Sequence, residues 1–435
     1  MNRRQVVPAG MAAAGGLMFP EAAAFAKTLK ANSKSDQSAV LAEATAAAGR
    51  EGGVVQLPAG RFIASGVQIN ETLVIAGVPG RTQLVSADGA PVFSIKGGRD
   101  VVLQGLDFET ATNQDAAGRS ALVVAQSSEA LTIRDCRFSG GAGGLVLEGC
   151  SGRVSDCRFS GHAATGLFAN DSRGLLISGN TVADCGNNGI QVWRPAAGED
   201  GTIVSHNRIA RIAANDGGSG QNGNGINVFR AANVVVSNNR ISDCAYSAIR
   251  NNAGSNCQIS GNTISRTGEV AIYVEFGFEG CVVSGNVIED VGFGISVTNF
   301  NEGGRLAVIA NNLVRNCRGG TTAGVTAGGG IFAEADTAIT GNTIEQAKDF
   351  GIGLGWGLHC RDLAVTGNTV RACGRGVTVS LSDGALPVLI ANNLIAESRE
   401  AAIMGMDYGR PVTADVAKPG ADIPANIQMS GNLIR

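Results

Sequence analysis

One phrase constrains this chain more than anything else in it. From about residue 100 onward the pattern apolar-x-Gly/Asn-Asn-x-apolar keeps returning. It reads Ile177-Ser178-Gly179-Asn180-Thr181-Val182, then Val204-Ser205-His206-Asn207-Arg208-Ile209, then Val236-Ser237-Asn238-Asn239-Arg240-Ile241. Further copies centre on Asn262, Asn286, Asn312, Asn342, Asn368, Asn393 and Asn432, and Cys136 and Cys157 hold the Asn place in two earlier copies. Most spacings lie in the mid-twenties, with longer steps at insertions. A second phrase, Gly/Ala-apolar-x-apolar, follows each Asn: Gly189-Ile190-Gln191-Val192, Gly225-Ile226-Asn227-Val228, Ala271-Ile272-Tyr273-Val274, Gly294-Ile295-Ser296-Val297 and Gly376-Val377-Thr378-Val379. Such a unit cannot bury its apolar side alone and must stack on its neighbours. Alternate side chains of each short strand point inward, so Ile177 faces the core and Ser178 water. The spacing predicts the Asn at a sharp bend, in the left-handed conformation that Asn tolerates. Its amide would bond the equivalent Asn one coil away, as in other stacked-strand ladders.

Composition agrees. Gly supplies 63 of 435 residues, hydrophobics 44%, aromatics 5% and charged residues 16%. A disordered chain would be more charged and less apolar, and the Gly lacks collagen's every-third spacing. No Trp-Asp blade signature or leucine-rich phrase supports a propeller or leucine-rich solenoid. A net charge of −3 with no later Lys/Arg block argues against a nucleic-acid partner. No apolar run long enough to span a membrane is expected in the mature chain.

The repeat is preceded by a start module. Asp36-Gln37-Ser38 is a helix N-cap signal, and residues 39–49 carry Val40, Leu41, Ala44 and Ala47 on one face. After Gly52-Gly53 comes Val54-Val55-Gln56-Leu57-Pro58-Ala59-Gly60-Arg61-Phe62, a strand, a turn and a second strand. A helix followed by GG-V-V-x-LPAG-x-F resembles the opening of pectin-lyase-like right-handed β-helix proteins, and the later phrases resemble their repeat. The fold implied is all-β: a right-handed parallel β-helix of roughly a dozen coils over residues 54–435, with residues 27–53 forming a linker and an N-terminal capping helix. At one strand spacing per coil the rod would be on the order of 60 Å long. Residues 406–426, with Pro411, Pro419 and Pro424, break the rhythm and are expected as an irregular segment folding over the far end.

Residues 1–26 read as a leader. Arg3-Arg4 precede a mild apolar stretch, and Ala24-Phe25-Ala26 is a small-x-small cleavage site. The paired arginines resemble a twin-arginine signal. Leader and repeat together resemble twin-arginine-exported bacterial repeat proteins, which implies a periplasmic or secreted location. The ten cysteines sit mostly at equivalent inward places, and no Cys-x-x-Cys pair occurs. Stacked pairs such as Cys257/Cys281 could be bridged but need not be; core filling is the expected role. His162, His206 and His359 fall in different coils, so no metal site is expected.

The resemblance places chemistry on the outer face of one strand column, here the Gly-Ile-x-Val column. Its first outward places hold Gln191, Asn227, Arg250, Tyr273 and Ser296; its second hold Trp193, Phe229, Asn252, Glu275, Thr298 and Glu334. Arg194 and Arg230 end their strands, and long inserts at 195–201 and 211–224 border the column. Trp193, Arg194, Asn227, Phe229, Arg230 and Asn252 are therefore expected as one exposed substrate-binding patch, since aromatic platforms and guanidinium forks suit a sugar chain carrying carboxylates. Arg250 would neutralise the sugar carboxylate, and Tyr273 or Glu275 would serve as base. No cofactor is demanded, with Ca2+ the one ion left open. The expected protein is an exported monomer that binds, and cleaves or modifies, a polysaccharide as a lyase, epimerase or hydrolase. The alternative is a non-catalytic glycan-binding or structural envelope solenoid.

Overall fold

Each coil contributes three short strands, and the strands stack into three sheets of 15. The computed structural model describes residues 29–51, 53–110, 120–218, 220–322 and 325–435. The expected leader, residues 1–26, lies outside them. The first sheet holds the strand before each ladder Asn, such as Leu176–Ser178 and Val235–Ser237; the second holds the strand after it, such as Thr181–Cys185 and Arg240–Cys244. The third holds the Gly/Ala-apolar-x-apolar phrase, including Asn188–Glu199, Asn224–Ala232, Ile249–Asn252 and Val270–Glu275. Pairing is parallel in all three, apart from the last pair of the third sheet, and one register shift falls between Asn188–Glu199 and Asn224–Ala232, after Trp193.

Inward alternation builds one continuous core of stacked like residues. Phe108, Phe138 and Phe159 pair in register, with ring centroids 5.0 and 4.7 Å apart. The spacing matches the strand separation, so identical side chains meet their own kind one coil away. The cysteines share this role: all ten are buried thiols. Burial pushes Cys185, Cys244 and Cys257 up to about 12, which leaves them protonated and inert.

The Asn ladder forms inside the corner between the first two sheets. Asn286 Nδ2 donates to Asn312 Oδ1 at 2.9 Å and to the Ile259 carbonyl at 3.0 Å, while Asn286 Oδ1 accepts from Asn262 Nδ2 at 3.0 Å. That Oδ1 also accepts the Asn262 backbone N–H, at 2.9 Å. The file runs from Asn180 to Asn432, and Asn180 Oδ1 accepts the Cys157 N–H where the Asn is replaced. One detail departs from the sequence reading. The left-handed residue is the one before each ladder Asn: His206, Asn238 and Asn311 have φ of 56° to 58°. That residue makes the bend, and the bend aims the following amide inward.

The helix spans Ser38–Arg50 and buries Leu41, Ala44, Thr45, Ala47 and Ala48 against the first coils. Gln37 holds the N-cap place without a side-chain cap, and Asp36 before it accepts the Ser38 N–H at 2.9 Å. At the far end residues 406–426 are less irregular than expected. Ala401–Asp407 turns back through Tyr408-Gly409 and pairs antiparallel with Arg410–Asp415. Asp415 accepts the N–H groups of Ala402 and Ile403, and Val416 is buried. Polar partners and one apolar plug thus cover strand groups that would otherwise be open. No helix among the described residues is long and apolar enough to cross a membrane.

Candidate functional site

The outward column of the third sheet has the register read from the sequence. Asn227 pairs with Arg250, Arg250 with Tyr273, Tyr273 with Ser296, and Ser296 with Phe332; beside them Phe229 pairs with Asn252 and Asn252 with Glu275. These side chains do not form the expected exposed patch. Arg250, Tyr273 and Glu275 are only 6%, 5% and 2% exposed, and Asn227 and Arg194 are also buried. Over Asn227 and Arg250 the cover is the described part of the insert at 211–224. Asn188 Nδ2 donates to the Gln221 carbonyl, Tyr246 Oη to the Gly218 carbonyl, and Asn187 exchanges bonds with Asp216. Gly220, at φ +135°, lies so close to Arg250 that a Cβ there would fall 2.1 Å from Nη1.

Under that cover Arg250 is already satisfied. Its Nε and Nη2 grip both oxygens of Glu275 at 2.6 and 2.9 Å, its Nη1 reaches Glu269 at 3.2 Å, and its guanidinium lies 4.8 Å from the Tyr273 ring centre. Asn252 also donates to Glu275, and Ser247 to Glu269. Burial raises the pKa of both carboxyls, opposed by Arg250. Three sequence-based roles therefore change. Arg250 has no fork free for a sugar carboxylate. Glu275 has both oxygens engaged, so it is not placed to take a substrate proton. Tyr273 is packed among Val270, Phe293 and Phe350, and burial holds its phenol protonated, against a role as base.

The other expected binders separate from this cluster. Arg194 turns away to Asp171 at 2.7 Å. Trp193 is half-buried between Phe168 and Phe229, at 5.5 and 5.3 Å between ring centroids, and Arg230 is exposed with its guanidinium 4.7 Å from the Phe229 ring centre. This aromatic row abuts the charged cluster in register, Phe229 pairing with Asn252.

Further along the same face lies an open groove of about 590 Å³. Its floor is the continuation of the outward column: Ser296, Phe332, Thr378 and, between them in register, Gly353. Tyr273 lines the near end of this groove, and beyond Phe332 the small Gly353 and Thr378 leave room. Trp356 stands on a tight turn closed by mutual bonds with the His359 backbone. Gly357, at φ +60°, sits so near Tyr408 that a Cβ would meet that ring at 2.5 Å. Trp356 and Tyr408 meet edge to face, 5.6 Å between centroids, at the groove wall.

Glu334 lines this groove and is 8% exposed. Its Oε2 accepts the Phe300 N–H at 2.8 Å, from the short 3-10 turn Phe300–Glu302. Phe300 is fixed between Arg361, 4.4 Å from its ring centre, and His359, 6.1 Å between centroids. Burial raises the Glu334 pKa from 4.5 to about 7; the Phe300 and Asn299 N–H groups oppose the shift without cancelling it. Asp349 is the second carboxylate on the groove, and its Oδ2 accepts the Gly328 N–H at 2.6 Å. Arg375 also lines it and is paired with Glu400 at 2.6 Å. Among the described residues no group of three or more His, Cys, Asp or Glu could hold a metal ion.

Glu334 stands in the outward column read from sequence, but Trp356, His359, Asp349 and Tyr408 were missed there. Trp356 is one of two Trp in the chain, and Tyr408 one of three Tyr. Their scarcity was the available signal; both lie in corner segments outside the strand phrase.

No curated protein matches this sequence. Solved structures do. The catalytic unit of a GH87 alpha-1,3-glucanase from Streptomyces thermodiastaticus aligns at 17% identity over 93% of this chain and 67% of that one, with TM-score 0.53. A mutant tailspike of E. coli bacteriophage HK620, solved with a pentasaccharide, aligns at 11% identity over 91% and 77%, with TM-score 0.57. PfbA, a surface adhesin of Streptococcus pneumoniae, aligns at 14% identity over 93% and 98%, with TM-score 0.50. At these identities the likeness is one of fold. The family model described as "Right handed beta helix region" matches residues 93–220 and 196–329, and with that span, together more than half its length, the chain belongs to the right-handed β-helix family.

Proposed function

We propose that this protein is an exported glycan-active enzyme that holds a polysaccharide chain in the groove of the third sheet. One observation carries the reading: a carboxyl with a pKa of about 7, Glu334, faces an open groove walled by Trp356 and Tyr408. Aromatic faces beside a polar floor suit sugar rings, which present an apolar face and a rim of hydroxyls. A glucanase and a tailspike solved with a pentasaccharide share the fold, which agrees with a glycan as ligand.

The chemistry favoured is glycosidic hydrolysis. A carboxyl titrating near neutral pH can hold a proton until the transition state and then release it. Glu334 gives that proton to the leaving glycosidic oxygen, while water attacks the anomeric carbon and loses its proton to the solvent that fills the groove. Lyase or epimerase chemistry loses support, because the residues expected to neutralise a carboxylate and remove a proton are tied to each other.

Glu334→Gln should lower turnover by about 10²-fold or more while glycan binding stays within a few fold. Release of reducing ends from a polysaccharide panel reads the first, and retention on the same glycans the second. Unchanged turnover would remove Glu334 from the mechanism. Export is proposed from Arg3-Arg4 and Ala24-Phe25-Ala26; changing both arginines to Lys should leave full-length precursor in the cytoplasm.

A further inference from the structure

The outer face of the first sheet has a composition that the groove does not explain. Its strands present two outward places each, and these stack into two columns in register. From Leu176 to Leu389, over nine consecutive strands, neither column holds a charged residue. The first column is apolar. Leu176, Ile203, Val282, Val308 and Leu389 each stand 37–40% exposed, and Gln258 is its one polar member. The second column, from Ser178 to Ala391, holds only Ser, Thr and Ala. In the same coils the outer face of the second sheet carries Arg208, Arg240, Glu289, Arg315, Glu345 and Arg371. Charge also returns on the first sheet just before this stretch, at Arg153 and Arg134. An ordinary solvated face is mixed throughout, as the second sheet is. An uncharged, partly apolar face about 40 Å long marks a surface that meets another.

The two columns indicate what that other surface is. Neither holds an aromatic side chain to stack on sugar rings, nor the Trp, Tyr and Lys that anchor a protein at a lipid interface. A large column beside a small one is complementary to itself. A half-turn about an axis parallel to the rod brings two copies face to face and lays each apolar column on the other copy's small column. Val282 of one copy then sits over Ser284 of the second. No charge has to leave water, as at the centre of a protein interface. Where these strands begin, Arg305 is held by Glu279 and Asp336, and Arg361 by Asp336, so the rim is polar and already neutralised. About 40 Å by about 14 Å on each copy gives roughly 1,100 Å2 for the pair, just above what a specific interface needs. We propose that the protein pairs with a second copy of itself through the first sheet, the rods side by side and parallel. This dimer takes the place of the monomer expected from the sequence. The groove lies on the third sheet, so pairing leaves it open.

Sedimentation of the full chain over about 1–200 μM tests the pairing, with an expected Kd of about 1–50 μM. Val282→Lys puts an ammonium group at the centre of the interface and should weaken pairing at least about 100-fold. Ser284→Arg exchanges one exposed polar residue for another, and should act as strongly by filling the hollow that Val282 of the second copy needs. Leu313→Lys, on the outer face of the second sheet, should leave pairing within about twofold. A monomer throughout the range would overturn the proposal, and so would a dimer unmoved by both Val282→Lys and Ser284→Arg. Flotation of the protein with phosphatidylcholine vesicles, lost in Val282→Lys, would give the face to a lipid surface and overturn it as well.

Discussion

Glu275 and Glu334 occupy the same outward column, two coils apart, yet they do different things. Glu275 is gripped on both oxygens by Arg250, which the insert at 211–224 covers in turn. Glu334 has only backbone donors and opens on a groove. The coils around Glu275 carry long polar side chains that satisfy one another. The coils around Glu334 carry Gly353, Thr378 and Ser380, which leave space. A cluster of charged and aromatic residues on a strand face is thus a poor guide to a site. Such residues neutralise each other when a loop shuts them in, whereas small residues make the room in which a ligand can lie.

The contrast can be broken at its closed side. Arg250→Ala would leave Glu269 and Glu275 buried together without a cation, costing about 3–5 kcal/mol, measured by denaturant unfolding. Glycan retention by the folded fraction should be unchanged. Lost retention with normal stability would move the site back beneath the insert.

At the open side, pH sharpens the comparison. The Glu334 pKa of about 7 in the folded chain lies above its ordinary 4.5. Between those values the folded chain keeps a proton that the unfolded chain has released. This contribution to stability is whole below about pH 4.5 and falls away as pH rises through 7, by about 3 kcal/mol in total. The difference between wild type and Glu334→Gln across that range isolates it from other carboxyls. Parallel pH dependences would show that Glu334 is not raised.

A third test concerns the frame common to both regions. Asn286→Leu removes one rung, leaving the neighbouring amides and the Ile259 carbonyl unpaired, for about 1–3 kcal/mol of stability. A value near zero would mean that the ladder follows from the stacking and adds nothing to it. The smallest effect is expected at the first aromatic row. Trp193→Ala should alter glycan retention by less than about twofold, while Trp356→Ala weakens it about tenfold. Equal losses would join the two rows into one long binding surface.

Much of this was legible in the chain. The Asn phrase, its mid-twenties period and the Gly-Ile-x-Val phrase carried the three strands, their inward residues and the outward register through Glu334. They could do so because stacked coils repeat one environment, and a side chain's direction follows from counting in twos. Less visible were the corners. The left-handed residue proved to be the one before the Asn, since the bend must come first to aim the amide inward. The outward residues were identified, but not their cover.

By itself, then, the sequence determined a stacked parallel solenoid, its cysteines as core and the column on which chemistry could sit, because all of these are local and repeat from coil to coil. Only the tertiary structure decided which part of that column is sealed and which is open. That choice depends on where the inserts between coils come to rest. The 211–224 insert settles on Arg250, and the turns bearing Trp356 and Tyr408 meet at one wall of the open groove. Such packing is set by contacts between segments far apart in the chain, and no period in the sequence records it.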